Sequence, residues 1–171
     1  MGRDKGLILR EGTPWAMRMG EKLAAFHLPV VYSINAGQWD AYARLIPRDQ
    51  LVVDSLDLAG PLNGLLSVHL TFPAADVLMI ACDMQDIDSA TIQHVIGTYH
   101  ESPAYEFYVY QDGAFAQPFC GIYKARGLAR AYRLALQGDL PDRSLQSLIS
   151  SGQTYGLAMI REEAFRNYNS M

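Results

Sequence analysis

The sequence predicts an α/β fold, a three-layer α/β/α sandwich built on a mostly parallel sheet, and three observations predict it. Apolar runs of strand length alternate with stretches of helical periodicity along the whole chain, the pattern of strands joined by crossover helices. Each change of pattern is marked by Gly, Pro, Asn or Asp, residues that cap helices or make turns. The run Asp76 to Cys82 (DVLMIAC) is apolar without alternation, as expected of a strand covered on both faces.

The elements follow in order. Thr13-Pro14 supplies an N-cap and first-turn pair, and Trp15, Met19, Leu23 and Phe26 recur at helical spacing, so a helix is predicted to about His27. Pro29 to Ile34 (PVVYSI) is a strand ending in the turn Asn35-Ala36-Gly37, and Leu51 to Val53 is a shorter one ending at Asp54. Gly60 to Gly64 (GPLNG) leads into a short helix through LLSVHLTF, with glycines that permit close backbone approach. Asp83 follows the strand DVLMIAC. Asp88-Ser89 caps a helix through Ile92, Val95 and Ile96, and Tyr105 to Tyr110 (YEFYVY) is an aromatic strand. Phe119 to Tyr123 is a further strand, followed by a helix from Ala125 to Gln137, a short helix from Ser144 to Ser150 and an apolar run from Tyr155 to Ile160. With no repeat, linker or low-complexity segment, residues 1–171 read as one domain.

Composition narrows the function. Half of the 171 residues are hydrophobic and 19% are charged, a globular balance, and the net charge of −4 argues against broad electrostatic binding to nucleic acid or anionic lipid. No apolar stretch approaches the roughly 20 residues of a membrane span, so a soluble protein is expected. Cys82 and Cys120 lie far apart inside apolar runs and read as two buried thiols in a reducing cytoplasm. His27, His69, His94 and His100 fall on helical stretches without close carboxylate or cysteine partners and are assigned no catalytic role.

Ligands of open parallel sheets bind beyond the carboxyl ends of the strands. Asn35, Asp54 and Asp83 each follow a strand there and are expected along one rim. A carboxylate such as Asp83 suits Mg²⁺ held together with substrate phosphates. Asp54 equally suits a turn cap, and Asn35 beside Gly37 is also an ordinary turn signal. The opening MGRDKG, a basic residue among small and acidic ones before an apolar run, reads as the exit of a nucleotide-binding turn, where Lys5 supplements backbone donors.

Taken in order, MGRDKG, Asn35, Asp54, GPLNG, DVLMIACDM, QPFCGIY and the terminal FRNYN resemble the molybdenum cofactor guanylyltransferases, the MobA-type nucleotidyltransferases, over nearly the whole chain. The resemblance implies a nucleotide-diphospho-sugar-transferase-like fold in the cytoplasm and transfer of GMP from Mg-GTP to the phosphate of molybdopterin cofactor, with release of pyrophosphate. It implies that Lys5 neutralises the nucleotide phosphates, that Asp83 binds Mg²⁺, and that Asn35, Asp54, Gly60, Pro61, Leu62 and Gly64 position the nucleoside. Asn167 and Asn169 would lie near the metal and phosphates. The implied partners are GTP and molybdopterin cofactor, with transient contact to cofactor-delivery or acceptor proteins and none to nucleic acid or membrane. Gln117 and Arg143 are the candidate acceptor contacts.

The sequence departs from the family pattern in three places. A strand and glycine-rich loop of the form LAGG-x-S-x-R precede the Met-Gly of the family signature, and a short acidic segment and last helix follow its Asn pair; the chain is expected to be clipped at both ends relative to that pattern. Gln85 stands where the family has Pro after Asp-Met, which is expected to leave the turn freer. Two alternatives stay open: a related nucleotidyltransferase using CTP or a sugar phosphate, and a non-catalytic binding protein.

Overall fold

The computed structural model of the chain describes residues 4–113, 115–140, 142, 144–166 and 168. The described strands form three sheets. The first is a small antiparallel hairpin of β1 (Leu9–Arg10) and β2 (Thr13–Pro14), turned by Glu11 and Gly12, both at positive φ. Helix α1 (Trp15–Ala24) starts directly after it. Thr13-Pro14 therefore completes a strand rather than capping a helix with a side chain: Thr13 pairs with Arg10, and the Trp15 N–H donates to the Ile8 carbonyl at 2.9 Å, which holds the chain extended up to the first helical turn. The helix ends before His27, which sits in a turn at φ +58°.

Strands β3 (Tyr32–Ile34) and β4 (Leu51–Val53) pair in parallel, with Ile34 opposite Val53. The connection between them contains the short helix α2 (Trp39–Tyr42), which the sequence pattern did not disclose. Helix α3 (Pro61–Thr71) opens within GPLNG, just past Gly60 at φ +77°, a conformation that favours glycine.

The larger sheet contains β5 (Val77–Ile80), β6 (Phe107–Asp112), β7 (Phe115–Tyr123) and β8 (Thr154–Ala158), in the order β5-β7-β6-β8. The pairs β5/β7 and β6/β7 are antiparallel and β6/β8 is parallel. The sheet is thus mixed, not mostly parallel. The reason is local: β6 and β7 are joined by a tight return at Asp112-Gly113, and a connection that short can only join antiparallel neighbours. Among the described strands β5 lies at the sheet's edge, and its four residues are half-buried rather than fully covered.

Alternate residues of this sheet feed two apolar clusters. Val77, Met79, Phe107, Val109 and Tyr123 pack with Leu62, Leu65 and Leu66 of α3, with α5 (Ala125–Gln137) and with α6 (Leu145–Ser150). Leu78, Ile80, Tyr108, Tyr110, Cys120 and Ile122 pack with Ile92 and Val95 of α4 (Ser89–Glu101) and with Met84, Ile87 and Phe165. Asp88 caps α4 by accepting the Thr91 N–H at 2.8 Å, as its sequence position predicts. Each large apolar side chain buried this way contributes about 1.5–3 kcal/mol, so the β5 to α4 connection is anchored from beneath by Met84 and Ile87. No described helix is long and apolar enough to cross a membrane.

Candidate active site

The opening segment folds as a 3-10 turn over Lys5–Leu7 capped by Asp4. One Asp4 oxygen accepts the Gly6 N–H at 3.0 Å and the Tyr42 hydroxyl at 3.2 Å, and the other accepts the Gln38 amide at 2.6 Å. Gly6 is required by proximity, because a Cβ there would fall 2.1 Å from the Tyr42 hydroxyl oxygen. The turn aims Lys5 at Asp83, with Nζ 3.3 Å from Oδ2. Their side chains are 41% and 16% exposed, so solvent screens the pair and it adds about 0–1 kcal/mol to stability. Its importance lies in placing a cation beside a carboxylate in an accessible position.

Asp83 sits in the loop between β5 and α4, and that loop is tied from several directions. Lys22 of α1 donates to the Gln85 and Ile87 carbonyls at 2.7 and 2.8 Å. Gln85, 3% exposed, donates its amide to the Cys82 carbonyl at 2.6 Å and the Trp15 carbonyl at 3.4 Å. Gln85 thus latches the turn where a freer one was expected; its side-chain bonds replace the stiffness of a proline ring. Asp86 accepts from the Tyr168 hydroxyl and from Arg10, and these two bonds, Tyr168 first, hold its carboxyl below the usual range. Tyr168 also meets Trp15 edge-on and lies under the Arg10 guanidinium. Cys82 is half-buried rather than buried, and burial pushes its thiol up to about 11, so it stays protonated at neutral pH and is no nucleophile there.

The β3/β4 register brings Asn35 and Asp54 out side by side, and the Asp54 N–H donates to the Ile34 carbonyl at 2.8 Å. Burial raises the Asp54 carboxyl above its ordinary value, against the opposing bond from the Ser33 hydroxyl at 3.3 Å. In GPLNG the residues divide by role. A Cβ on Gly64 would lie 2.4 Å from the Ser33 hydroxyl oxygen and 3.4 Å from Asp54 Oδ1, so its bareness admits the rim of β3 and β4. Gly60 has open space around it and serves the backbone turn. Pro61 is exposed, whereas the Leu62 side chain is wholly buried in the core. Its side chain is therefore not available to a nucleoside, which leaves only its backbone for the expected role.

Lys5 and Asp83 are therefore in contact, Asp54 and Gly64 are neighbours, and Asn35 joins the Lys5 turn indirectly: its N–H donates to Gln38 Oε1 at 2.9 Å, while Gln38 holds Asp4. Gln117 lies on β7 opposite Tyr110. Arg143, Asn167 and Asn169 lie outside the described residues. Sequence reasoning missed Gln38, Lys22, Arg10 and Asn63. Gln38 carried a signal, since Asn followed by Gln at the third position is a capping-box pattern. The Asn63 amide donates to the Leu56 and Leu58 carbonyls, and its oxygen accepts from the Leu56 N–H and the Ser67 hydroxyl. Its only sequence signal was a polar residue inside an apolar helix. Among the described residues no group of three or more His, Cys, Asp or Glu could hold a metal; Mg²⁺ is commonly held by one or two carboxylates together with substrate phosphates.

The model of the MobA-like NTP transferase domain matches residues 1–155. A molybdenum cofactor guanylyltransferase from Pseudomonas entomophila is 31% identical over 158 residues, covering 85% of this chain and 79% of that protein. A molybdenum cofactor biosynthesis bifunctional protein from Synechocystis is 30% identical over 125 residues, covering 72% of this chain, and the match spans about a third of that protein's length, 35%. Among solved structures, molybdopterin-guanine dinucleotide biosynthesis protein A from Archaeoglobus fulgidus superposes with a TM-score of 0.73 at 14% identity, covering 92% of this chain and 76% of that one. That likeness is one of fold.

Proposed function

The chain belongs to the MobA-like NTP transferase domain family, and from that premise we propose that it transfers GMP from GTP to the phosphate of molybdopterin cofactor, releasing pyrophosphate. The guanylyltransferase names of its relatives support the choice of substrates. The observation that carries the reading is the Lys5–Asp83 pair, 3.3 Å apart, with the Lys5 turn bonded through Asp4 and Gln38 to Asn35.

An acceptor phosphate oxygen attacks the α-phosphorus of GTP. A new P–O bond forms as the bond to the bridging α–β oxygen breaks, and that electron pair leaves with pyrophosphate. The attacking phosphate is already anionic, so alignment and charge neutralisation suffice without a strong general base. Lys5 offsets charge on the nucleotide phosphates. Asp83 is an accessible carboxylate suited to Mg²⁺, which when bound supplies Lewis-acid neutralisation of those oxygens. Asn35, Asp54, Pro61 and the backbone of Gly60, Leu62 and Gly64 position the nucleoside. Asn167 and Asn169 are assigned to the metal and phosphates. Gln117 and Arg143 are assigned to the acceptor.

The two apolar clusters fed by alternate strand residues support reading the fold as α/β/α layers of the nucleotide-diphospho-sugar-transferase type, within one domain. A cytoplasmic enzyme handing its product to cofactor-delivery or acceptor proteins fits the same reading. Thermal shifts with GTP, CTP, ATP and UTP in Mg²⁺ test it: GTP should stabilise most, and equal shifts or a CTP preference would overturn the base assignment. Asp83→Ala should fold normally, lose Mg-dependent GTP binding and slow GMP transfer by about 10²–10³-fold. Unchanged Mg-GTP affinity would overturn the metal role.

A further inference from the structure

We propose that Gln38 is a positioning residue that fixes the phosphate-facing turn and the nucleoside rim as one rigid unit, so that the two halves of a nucleoside triphosphate are bound together. The inference rests on the nucleotidyltransferase reading and adds to it a residue that is assigned no contact with the nucleotide itself.

The bonding pattern leaves Gln38 no substitute. Its Nε2 donates to an Asp4 carboxylate oxygen at 2.6 Å, and its Oε1 accepts the Asn35 N–H at 2.9 Å. A carboxylate only accepts and a peptide N–H only donates, so a single orientation of one amide satisfies both. Glutamate could not donate to Asp4, and methionine could do neither. The Asp4 carboxylate in turn holds the Gly6 N–H and the Tyr42 hydroxyl, and Tyr42 occupies the space that a side chain on Gly6 would need. The Lys5 turn is thereby pinned to the stretch from Asn35 to Tyr42, and Lys5 reaches across to Asp83 in the loop that follows β5 of the other sheet.

The bonded path Asn35–Gln38–Asp4–Lys5–Asp83 thus links the ends of β3 and β5, which belong to separate sheets. Two half-sites held at a fixed separation bind a two-part ligand far better than either part, because the second contact becomes intramolecular. Loosening the link should weaken the whole ligand and spare the fragments. A residue that merely supports local structure would weaken the nearest fragment as well.

The test measures affinity for Mg-GTP, GMP and Mg-pyrophosphate in the wild type and in Gln38→Met, with thermal melts confirming that both fold. GTP affinity should fall about tenfold in the variant while each fragment changes by less than about twofold. Unchanged GTP affinity, or loss of a fragment in proportion to GTP, overturns the proposal. A second arm needs no nucleotide: amide hydrogen exchange at Asn35 should speed up in Asp4→Ala, which removes the far end of the Gln38 bridge. Unaltered exchange there also overturns it. If the wild type binds none of the four triphosphates, the functional reading fails and the exchange arm still decides the bridge.

Discussion

Two loops leave strand ends on the candidate site, each with an aspartate near its start and a helix at its end, and they are held in opposite ways. The loop between β4 and α3 is stapled by two residues, Asn63 and Ser67, both from the helix it leads into. The loop between β5 and α4 is held by Lys22, Arg10 and Tyr168, and by the bond from Gln85 to the Trp15 carbonyl. The first is a self-contained part. The second makes the position of Asp83 a property of the N-terminal hairpin, helix α1 and the C-terminal segment together.

Asn63→Ala tests the local staple and should have the largest effect on stability. It leaves the Leu56 N–H, two carbonyls and the Ser67 hydroxyl short of a partner, and each buried group left unsatisfied costs about 1–3 kcal/mol. Solvent reaches part of this loop, so a net loss of about 3 kcal/mol is expected from urea unfolding. GTP should bind more weakly, while the Mg²⁺ concentration needed for half-maximal turnover should stay the same. A shift in that Mg²⁺ requirement would show that the two loops are not independent.

Lys22→Met tests the distributed hold. It removes two charge-assisted bonds, and burial already pushes the Lys22 amine below its usual range, so part of the loss is returned as relieved desolvation. A net cost of about 1 kcal/mol is expected, with a proportionally larger effect on turnover: about tenfold in kcat against little change in KM for GTP. Equal loss in both would mean that Lys22 supports the fold without placing Asp83.

The same contrast explains what the sequence disclosed. Strand ends, the Asp88 cap and the α5 boundaries are written in short-range patterns, and these matched the fold at or near their positions. Asn35 and Asp54 do leave neighbouring strands, but Asp83 follows a strand of a separate sheet, so the single rim of one parallel sheet is not what the fold forms. The mixed sheet was legible only in part, since Asp112-Gly113 is a hairpin signal whose weight against alternating helices is settled by pairing. Lys22 had no legible role, because it looks like any surface lysine on a helix until the Asp83 loop packs over it. Leu62 is the opposite case: a motif position expected at the nucleoside has its side chain in the apolar cluster beneath α3.

The smallest expected effect separates the loops by the sign of their pH dependence. Burial raises Asp54 in the folded state, so the native chain holds that proton more tightly than the unfolded one; its contribution to stability falls as pH rises from the ordinary carboxylate value to the raised one, and remains as a penalty at neutral pH. Asp54→Asn should therefore stabilise at pH 7. Solvent screening keeps the gain within about 0.5 kcal/mol, and it should shrink as pH falls through that window. Asp86 is depressed by Tyr168 and Arg10, so its contribution is present above the ordinary carboxylate value and is lost as pH falls through the depressed one. Asp86→Asn should therefore destabilise at pH 7, and that cost should fade on acidification. Urea midpoints for both variants from about pH 2 to pH 7 read the difference directly. Curves of the same sign would mean that the two carboxylates share one environment, and the division between a locally stapled loop and a remotely held one would not extend to their electrostatics.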